Sequence, residues 1–485
     1  MDLGKLLSDR AKVYCIGIKG TGISALAELL VHSGVSVSGS DTSEVFYTDA
    51  ILQKIGIPYY EGFDAVHVPC DAALVIHSAA YNADTNPEMA QAVKLGIPLL
   101  KYTDALGEYS ALFDSSGIAG VHGKTTTTAL AGVLSRAAEL PAKILAGSAV
   151  SAFGGCSTLS LGNKYFTAET CEYRKHFLAF HPRRIILTSV ESDHQDCFPA
   201  YNDIRDAFVE YVLKLPQGGE LIYCADDPGA CEVTELVKAK RNDIKAVPYG
   251  FNASGDYKIT SYKVQNERTS FRIEAFSGTE FYLRVPGKHC VLDAAAALAL
   301  TSIIAEKEFA NGWTTERIQN TVQALEGFAG SKRRSEILGE KDGILFMDDY
   351  GHHPTAIAST LRGLKEFYPN RRLIVSFMSH TFSRTAALLD DFAASLLPAD
   401  IVFLHKIYAS ARELYSGGVN GTTLYERTKE VFENERKTGD NVFYVEEPVE
   451  ASEQLKNLLQ KDDLFITMGA GDNWRLGQKL LGAIL

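Results

Sequence analysis

The nine residues GVHGKTTTT, Gly120 to Thr128, hold the densest chemistry in this chain. A glycine turn that ends in Gly-Lys-Thr and opens a helix aims consecutive backbone N–H groups at one spot, where an anion is stabilised. Gly120, Val121, His122 and Gly123 would cradle phosphates and Lys124 would reach the outermost one. Thr125, with Thr126 beside it, would offer a hydroxyl to Mg²⁺. The loop is short for its kind: a common phosphate loop has a glycine where Ile118 stands, and here the glycines are Gly117 and Gly120. Four consecutive threonines make a poor ordinary helix start, because β-branched residues are mediocre helix formers. ATP is the expected ligand.

Two later segments end in residues suited to a metal and a polyphosphate. KYFTAET closes on Glu169, and RRIILTSVESDHQD runs an apolar stretch into Glu191, Asp193 and His194. Open α/β sheets gather ligands at the carboxyl ends of their strands, so Thr125, Glu169 and His194 are the candidate metal set, with Glu191 and Asp193 supporting them. Further on, apolar runs break into polar turns that carry Asp348, Asp349, His352, His353, His380, Arg384 and Glu413. Near the start, the turn Gly17-Ile18-Lys19-Gly20-Thr21-Gly22 could place a diphosphate at a helix N-terminus. Asp41 follows at about the spacing, roughly 20 residues, of a ribose-binding acid. Lys19 sits where the dinucleotide fingerprint has its middle glycine, so a nicotinamide cofactor is the weaker reading of that turn.

These residues need elements to hold them. KVYCIGI, then ISALAELLVHSG, then VSVSGSD reads as strand, helix, strand. A short strand leads into GVHGKTTTT and a helix follows it. A Pro286-Gly287 turn precedes a long alanine-rich helix with His289 at its entry, and from residue 329 onward strands and helices alternate again. The expectation is an α/β protein of three domains. A Rossmann-like domain spans residues 1–114, a central P-loop ATPase-type α/β domain spans 115–328, and a second Rossmann-like α/β domain spans 329–485.

Composition narrows the function classes. The chain has 485 residues, 46% hydrophobic and 22% charged, with a net charge of −12. Proteins that bind nucleic acid or anionic membranes usually carry a basic field, so neither is an expected partner. The eight cysteines form no CxxC pair, which gives neither a disulfide framework nor a zinc signature. The opening MDLGKLLSDRAK lacks the apolar core of a signal peptide, and no apolar run reaches the roughly 18–20 residues of a membrane span. The cytoplasm is the expected location.

Taken in order over almost the full length, GIKGTGI…SGSD, GVHGKTTTT, AET, ESDH, PGKH…DAAAALA, FMDDYGHHPTAI, SHTFSRT and MGAGD resemble the Mur ligases. The resemblance implies a first domain that binds a UDP-sugar, a central domain that binds ATP, and a last domain that closes over both. It sets Gly17, Gly20, Gly22, Ser40, Asp41 and Ser78 at the UDP-binding end. Lys124 falls at the transferred phosphate, and Thr125, Glu169 and His194 at the metal. His289, Arg333 and Asp349 lie near the adenosine or phosphates, and His380 and Arg384 face the sugar-diphosphate or the reacting carboxylate. The implied reaction joins L-alanine to the carboxylate of UDP-N-acetylmuramate, with ATP and Mg²⁺, in a monomer or homodimer. The alternative is a recycling enzyme that joins murein tripeptide to the same sugar. Ser189, Cys290, Asp293 and Thr381 depart from the usual pattern, Cys290 and Asp293 replacing two asparagines.

A carboxylate is a poor electrophile, so amide formation needs it activated. Phosphoryl transfer would do so by giving an acyl phosphate, which the amine then attacks. The first step brings an anion to a polyanion, so Lys124 and Arg333 or Arg384 must offset the repulsion. The second needs a free amine, and His353 or His194 could take its proton.

Overall fold

The computed structural model describes residues 3–409, 417–436 and 439–482; the candidate Glu413 lies outside the described residues. The chain divides into two compact units. One comprises Met1–Glu191, Asn202–Ile259 and Asp293–Leu325, the other Ser192–Tyr201, Thr260–Leu292 and Glu326–Leu485.

In the first unit, Lys12–Ile16 is buried at every position after Lys12. It pairs in parallel with Ser36–Asp41 and with Leu74–His77. Tyr59–Glu61 and Leu99–Lys101 complete a five-stranded parallel sheet. Strands buried on both faces are continuous apolar runs rather than alternating ones, which is how KVYCI and LVIH read. The glycine turn joins the central strand to the Thr21–His32 helix.

A second parallel sheet of this unit has Asp114–Ala119 between Arg184–Leu187 and Tyr165–Glu169. Glu220–Cys224 and Lys245–Gly250 extend it on one side. Ala142–Val150 and the antiparallel Cys156–Ser160 extend it on the other. The buried Arg184 ties strand starts together, with Nη1 2.6 Å from Asp114 and Nε 3.0 Å from Glu220. The carboxyl ends of Asp114–Ala119 and Tyr165–Glu169 therefore open side by side, and the first feeds the phosphate loop and the Lys124–Ala137 helix.

The second unit is built on a six-stranded sheet. Glu336–Lys341 runs antiparallel to Ile344–Asp349. Asp463–Met468, Arg372–Phe377, Ile401–Leu404 and Val442–Tyr444 follow in parallel. Alternate residues face opposite sides of a strand. Met347, Val375 and Phe377 pack with Ile357, Leu361 and Leu364 of the Pro354–Phe367 helix on one face. Phe346, Ile374 and Phe465 pack with Leu476 and Leu480 on the other.

The alanine-rich helix corrects one expectation. Lys288–Glu308 is 21 residues long and apolar enough to cross a membrane by length and composition, yet most of its apolar stretch is buried inside the protein, as in a core helix.

Candidate functional site

The phosphate loop is held from beneath by the neighbouring strand end. Val121 N–H donates to the Ser189 carbonyl at 3.0 Å and His122 N–H to the Ser189 hydroxyl at 2.9 Å. Thr188 donates its hydroxyl to the Ala119 carbonyl at 3.1 Å and also contacts the His122 carbonyl. Gly120 and Gly123 have φ of +140° and +80°, conformations that disfavour a side chain. A Cβ at Gly120 would overlap Thr188 Oγ1, and one at Gly123 would overlap Asp293 Oδ1. Asp293 is thus a buried acid under the loop, and it accepts the Thr127 hydroxyl at 3.1 Å. His122 pairs with Glu191.

Two further carboxylates converge on this loop. Thr125 Oγ1 donates to Glu169 Oε2 at 2.8 Å. Lys124 Nζ lies 2.9 Å from Glu172 Oε2 and bonds to the Gly120 carbonyl. Burial alone would lower the pKa of the Lys124 ammonium, but Glu172 and then Glu169 outweigh it and raise that pKa above the ordinary lysine value. Lys124 therefore stays charged where a phosphate would meet it. Thr125 and Glu169 supply hard oxygen donors, the type that Mg²⁺ takes.

In the second unit the strand ends bring Asp193, His352, His380 and Arg384 together. Arg384 donates to Asp193 Oδ1 from Nε at 3.0 Å and from Nη2 at 2.6 Å. Its Nη1 donates to the His380 carbonyl at 3.3 Å. His194 has φ of +54°, and its N–H donates to Asp193 Oδ1 at 2.7 Å. Burial alone would raise the Asp193 pKa; Arg384, then His194, His352 and His353, hold it well below the usual carboxylate range. Burial and then Arg384 push the His352 pKa well below that of a free imidazole, so that ring is neutral. His380 stacks on Tyr408 with ring centroids 5.8 Å apart. His353 occupies the N-cap position of the Pro354–Phe367 helix without a side-chain capping bond, and its Nε2 lies 3.3 Å from the Ser192 carbonyl.

Arg333 and Asp349 are anchored close by. Arg333 Nε donates to Asp348 Oδ2 at 2.8 Å and Nη2 to the Gly469 carbonyl at 2.6 Å. Asp349 accepts the N–H groups of Ser335 at 2.6 Å and Gly351 at 2.7 Å. The His289 ring folds back over Gly287, where a Cβ would meet its Nδ1 at 2.6 Å.

At the N-terminal turn, Asp41 accepts the N–H of Lys19 at 2.7 Å and of Thr42 at 2.8 Å. The Ser40 carbonyl accepts Gly17 N–H at 2.8 Å, and the Ser40 hydroxyl donates to the buried Glu88. Ser78 N–H donates to the Ile16 carbonyl at 3.0 Å. The Lys19 ammonium is turned inward, 3.0 Å from the Thr42 carbonyl and 3.2 Å from both Asp49 and Glu61. Its charge is matched by protein groups.

Comparison with known proteins gives one answer along the chain. The Mur ligase family catalytic domain matches residues 12–114, the Mur ligase middle domain residues 118–301, and the Mur ligase glutamate ligase domain residues 333–471. A UDP-N-acetylmuramate–L-alanine ligase of Treponema pallidum is 51% identical over 469 residues, covering 97% of this chain and 96% of that protein. The chain belongs to the Mur ligase family. It is an ATP-dependent ligase with N-terminal, middle and C-terminal α/β domains. Two solved structures share the fold. The UDP-N-acetylmuramate–alanine ligase of Thermotoga maritima is 24% identical, covers 97% of this chain and 98% of its own, and has a TM-score of 0.76. A murein peptide ligase of Psychrobacter arcticus is 22% identical with the same coverage and a TM-score of 0.64.

Within this Mur ligase, the structure pairs Thr125 with Glu169 and Lys124 with Glu172 at the phosphate loop, and Arg384 with His380 in the second unit. Glu172 is the residue that sequence reasoning missed: it is buried and is the counterion of Lys124. Its only trace in the sequence is a second acid three residues after Glu169. Asp293 stands in the place of an amide and still receives a hydrogen bond beneath the loop.

Proposed function

We propose that this ligase joins L-alanine to the lactyl carboxylate of UDP-N-acetylmuramate, using ATP and releasing ADP and phosphate, for peptidoglycan precursor synthesis in the cytoplasm. The observation that carries the reading is the phosphate loop with Lys124 charged at its mouth and Thr125 hydrogen-bonded to Glu169 beside it. The likeness to L-alanine ligases over nearly the whole chain supports the choice of acceptor. The domains run 1–114, 115–328 and 329–485, and the enzyme works as a monomer or homodimer.

In this reading the backbone N–H groups of Gly120–Gly123, with Lys124 and Thr126, hold the phosphates of ATP. The muramoyl carboxylate attacks the γ-phosphorus in line and ADP leaves. The alanine amine then attacks the acyl carbonyl, and phosphate departs. Lys124 offsets the charge that builds on the transferred phosphoryl group, an electrostatic role that dominates this chemistry. Arg384 meets the reacting carboxylate, with His380 beside it. His289, Arg333 and Asp349 form the adenosine end. Gly17, Gly20, Gly22, Ser40, Asp41 and Ser78 shape the UDP end, where Ser40 and Asp41 act by fixing the turn. Thr125, Glu169 and His194 would hold Mg²⁺, which when bound neutralises phosphate charge. The ammonium proton goes to His353, or to His194 while the lone pair of that ring is not on the metal.

The test is phosphate release with ATP and Mg²⁺, adding UDP-N-acetylmuramate and L-alanine singly and together, with product mass read in the same tubes. Release that requires both, with a product heavier by one alanine less water, is the expected result. Preference for murein tripeptide over L-alanine would overturn the choice of acceptor.

A further inference from the structure

Asp193 and Arg384 are 191 positions apart in sequence, and each is at most 5% exposed. The pairing has an unusual form. A guanidinium and a carboxylate often meet fork to fork, two nitrogens on two oxygens. Here Nε and Nη2 both converge on Oδ1 of Asp193, and the His194 N–H reaches the same oxygen. One carboxylate oxygen therefore accepts three N–H groups. On the opposite side, Nη1 of Arg384 lies 3.3 Å from both the carbonyl and Nδ1 of His380. With Asp193 on one edge and His380 on the other, the guanidinium plane has a single orientation.

The same oxygen fixes a second residue. His194 lies in the left-handed backbone region at φ +54°. A residue other than glycine persists there only when its surroundings over-determine it. The Asp193 side chain, closing on the very next N–H, provides that constraint. A buried guanidinium without a counter-charge would also be strongly unfavourable.

We infer that Asp193 is a positioning residue of the ligase reaction, its Oδ1 orienting the Arg384 guanidinium toward the reacting carboxylate and fixing the backbone that carries His194. The inference rests on the proposed reaction, in which Arg384 meets the muramoyl carboxylate. Asp193 touches neither substrate in this account and works through Arg384. Because it cancels most of the charge of Arg384, the pair presents directed N–H groups rather than a strong anion trap. Such groups help most when charge moves from carboxylate to acyl phosphate and back, since donors that are already oriented need no reorganisation during reaction.

The experiment is a double-mutant cycle in the full chain, using Asp193→Asn, Arg384→Lys and the double variant. Phosphate release and product mass are measured with UDP-N-acetylmuramate, L-alanine and ATP. Asp193→Asn is expected to lower kcat tenfold or more while leaving KM for ATP within twofold. In the Arg384→Lys background the same change should cost less than threefold, because a lysine ammonium has no rigid pair of N–H groups for Oδ1 to orient. Additive losses in the cycle would overturn the inference, as would a raised KM for L-alanine at unchanged kcat. A merely structural role would lower the melting temperature and all kinetic constants together, and that too would overturn it. If Asp193→Asn does not fold, Asp193→Glu, which keeps the charge and displaces it by one methylene, takes its place in the cycle. Wild-type protein that releases no phosphate with both substrates sinks the proposed function. Normal wild-type turnover with an additive cycle sinks only the role of Asp193.

Discussion

The Lys124 ammonium lies 2.9 Å from Glu172, and the two side chains are 11% and 3% exposed. With the Gly120 and Val121 carbonyls also accepting from Nζ, the lysine is folded onto its own loop. A terminal phosphate must compete with Glu172 for it. Glu172→Gln removes that competition, so ATP should bind three- to tenfold more tightly, a gain of roughly 0.6–1.4 kcal/mol. Calorimetric titration checks this; weaker binding in the variant would mean that Glu172 contributes to holding the nucleotide instead.

Lys124→Ala should abolish ligation, since it removes the ammonium that Glu172 and Glu169 keep charged at the loop mouth. A rate retained within tenfold, about 1.4 kcal/mol of barrier, would remove Lys124 from the transferred phosphate. Single-turnover phosphate release is the appropriate measurement.

The Thr125–Glu169 hydrogen bond of 2.8 Å marks the pair of oxygens proposed for the metal. Glu169→Ala should raise the Mg²⁺ concentration needed for half-maximal activity by an order of magnitude or more. An unchanged Mg²⁺ titration would exclude Glu169 from the metal site.

Gly123→Ala places a methyl group where Asp293 Oδ1 already lies, at φ +80°. The left-handed strain alone is about 1–2 kcal/mol, and the overlap adds to it. Loss of ATP binding with a lower melting temperature is expected. Asp293→Ala in the same chain should recover part of the stability by relieving the overlap, although the strain at φ stays. No recovery would mean that Asp293 is not what the new methyl group meets.

His405 reports on the second unit. Its Nε2 lies 2.8 Å from the Ser376 hydroxyl and its Nδ1 2.8 Å from the Val445 carbonyl. Burial pushes its pKa down to about 4 from 6.5. Between those two values the unfolded chain binds a proton that the native protein does not, so stability rises with pH across the window. Acidification from pH 6.5 to 4 should therefore cost about 3 kcal/mol from this group. Denaturant titrations of wild type and His405→Asn at both ends of the window isolate it; parallel pH profiles would refute the assignment.

What the sequence determined alone was local. Buried parallel strands are short apolar runs, so KVYCI and the apolar stretch of RRIILTSVESDHQD were legible as strands that end in chemistry, and GVHGKTTTT was legible because glycine spacing encodes backbone shape over a few residues. The tertiary structure decided everything that needed distant register. It set Glu172 against Lys124, Asp293 beneath Gly123, and Asp193 against Arg384. It also turned the Lys19 ammonium inward, onto Asp49 and Glu61. A side chain's partner depends on which strand end lies beside its own. That follows from sheet order and register, and these are set by burial of whole elements rather than by residues near it in the chain.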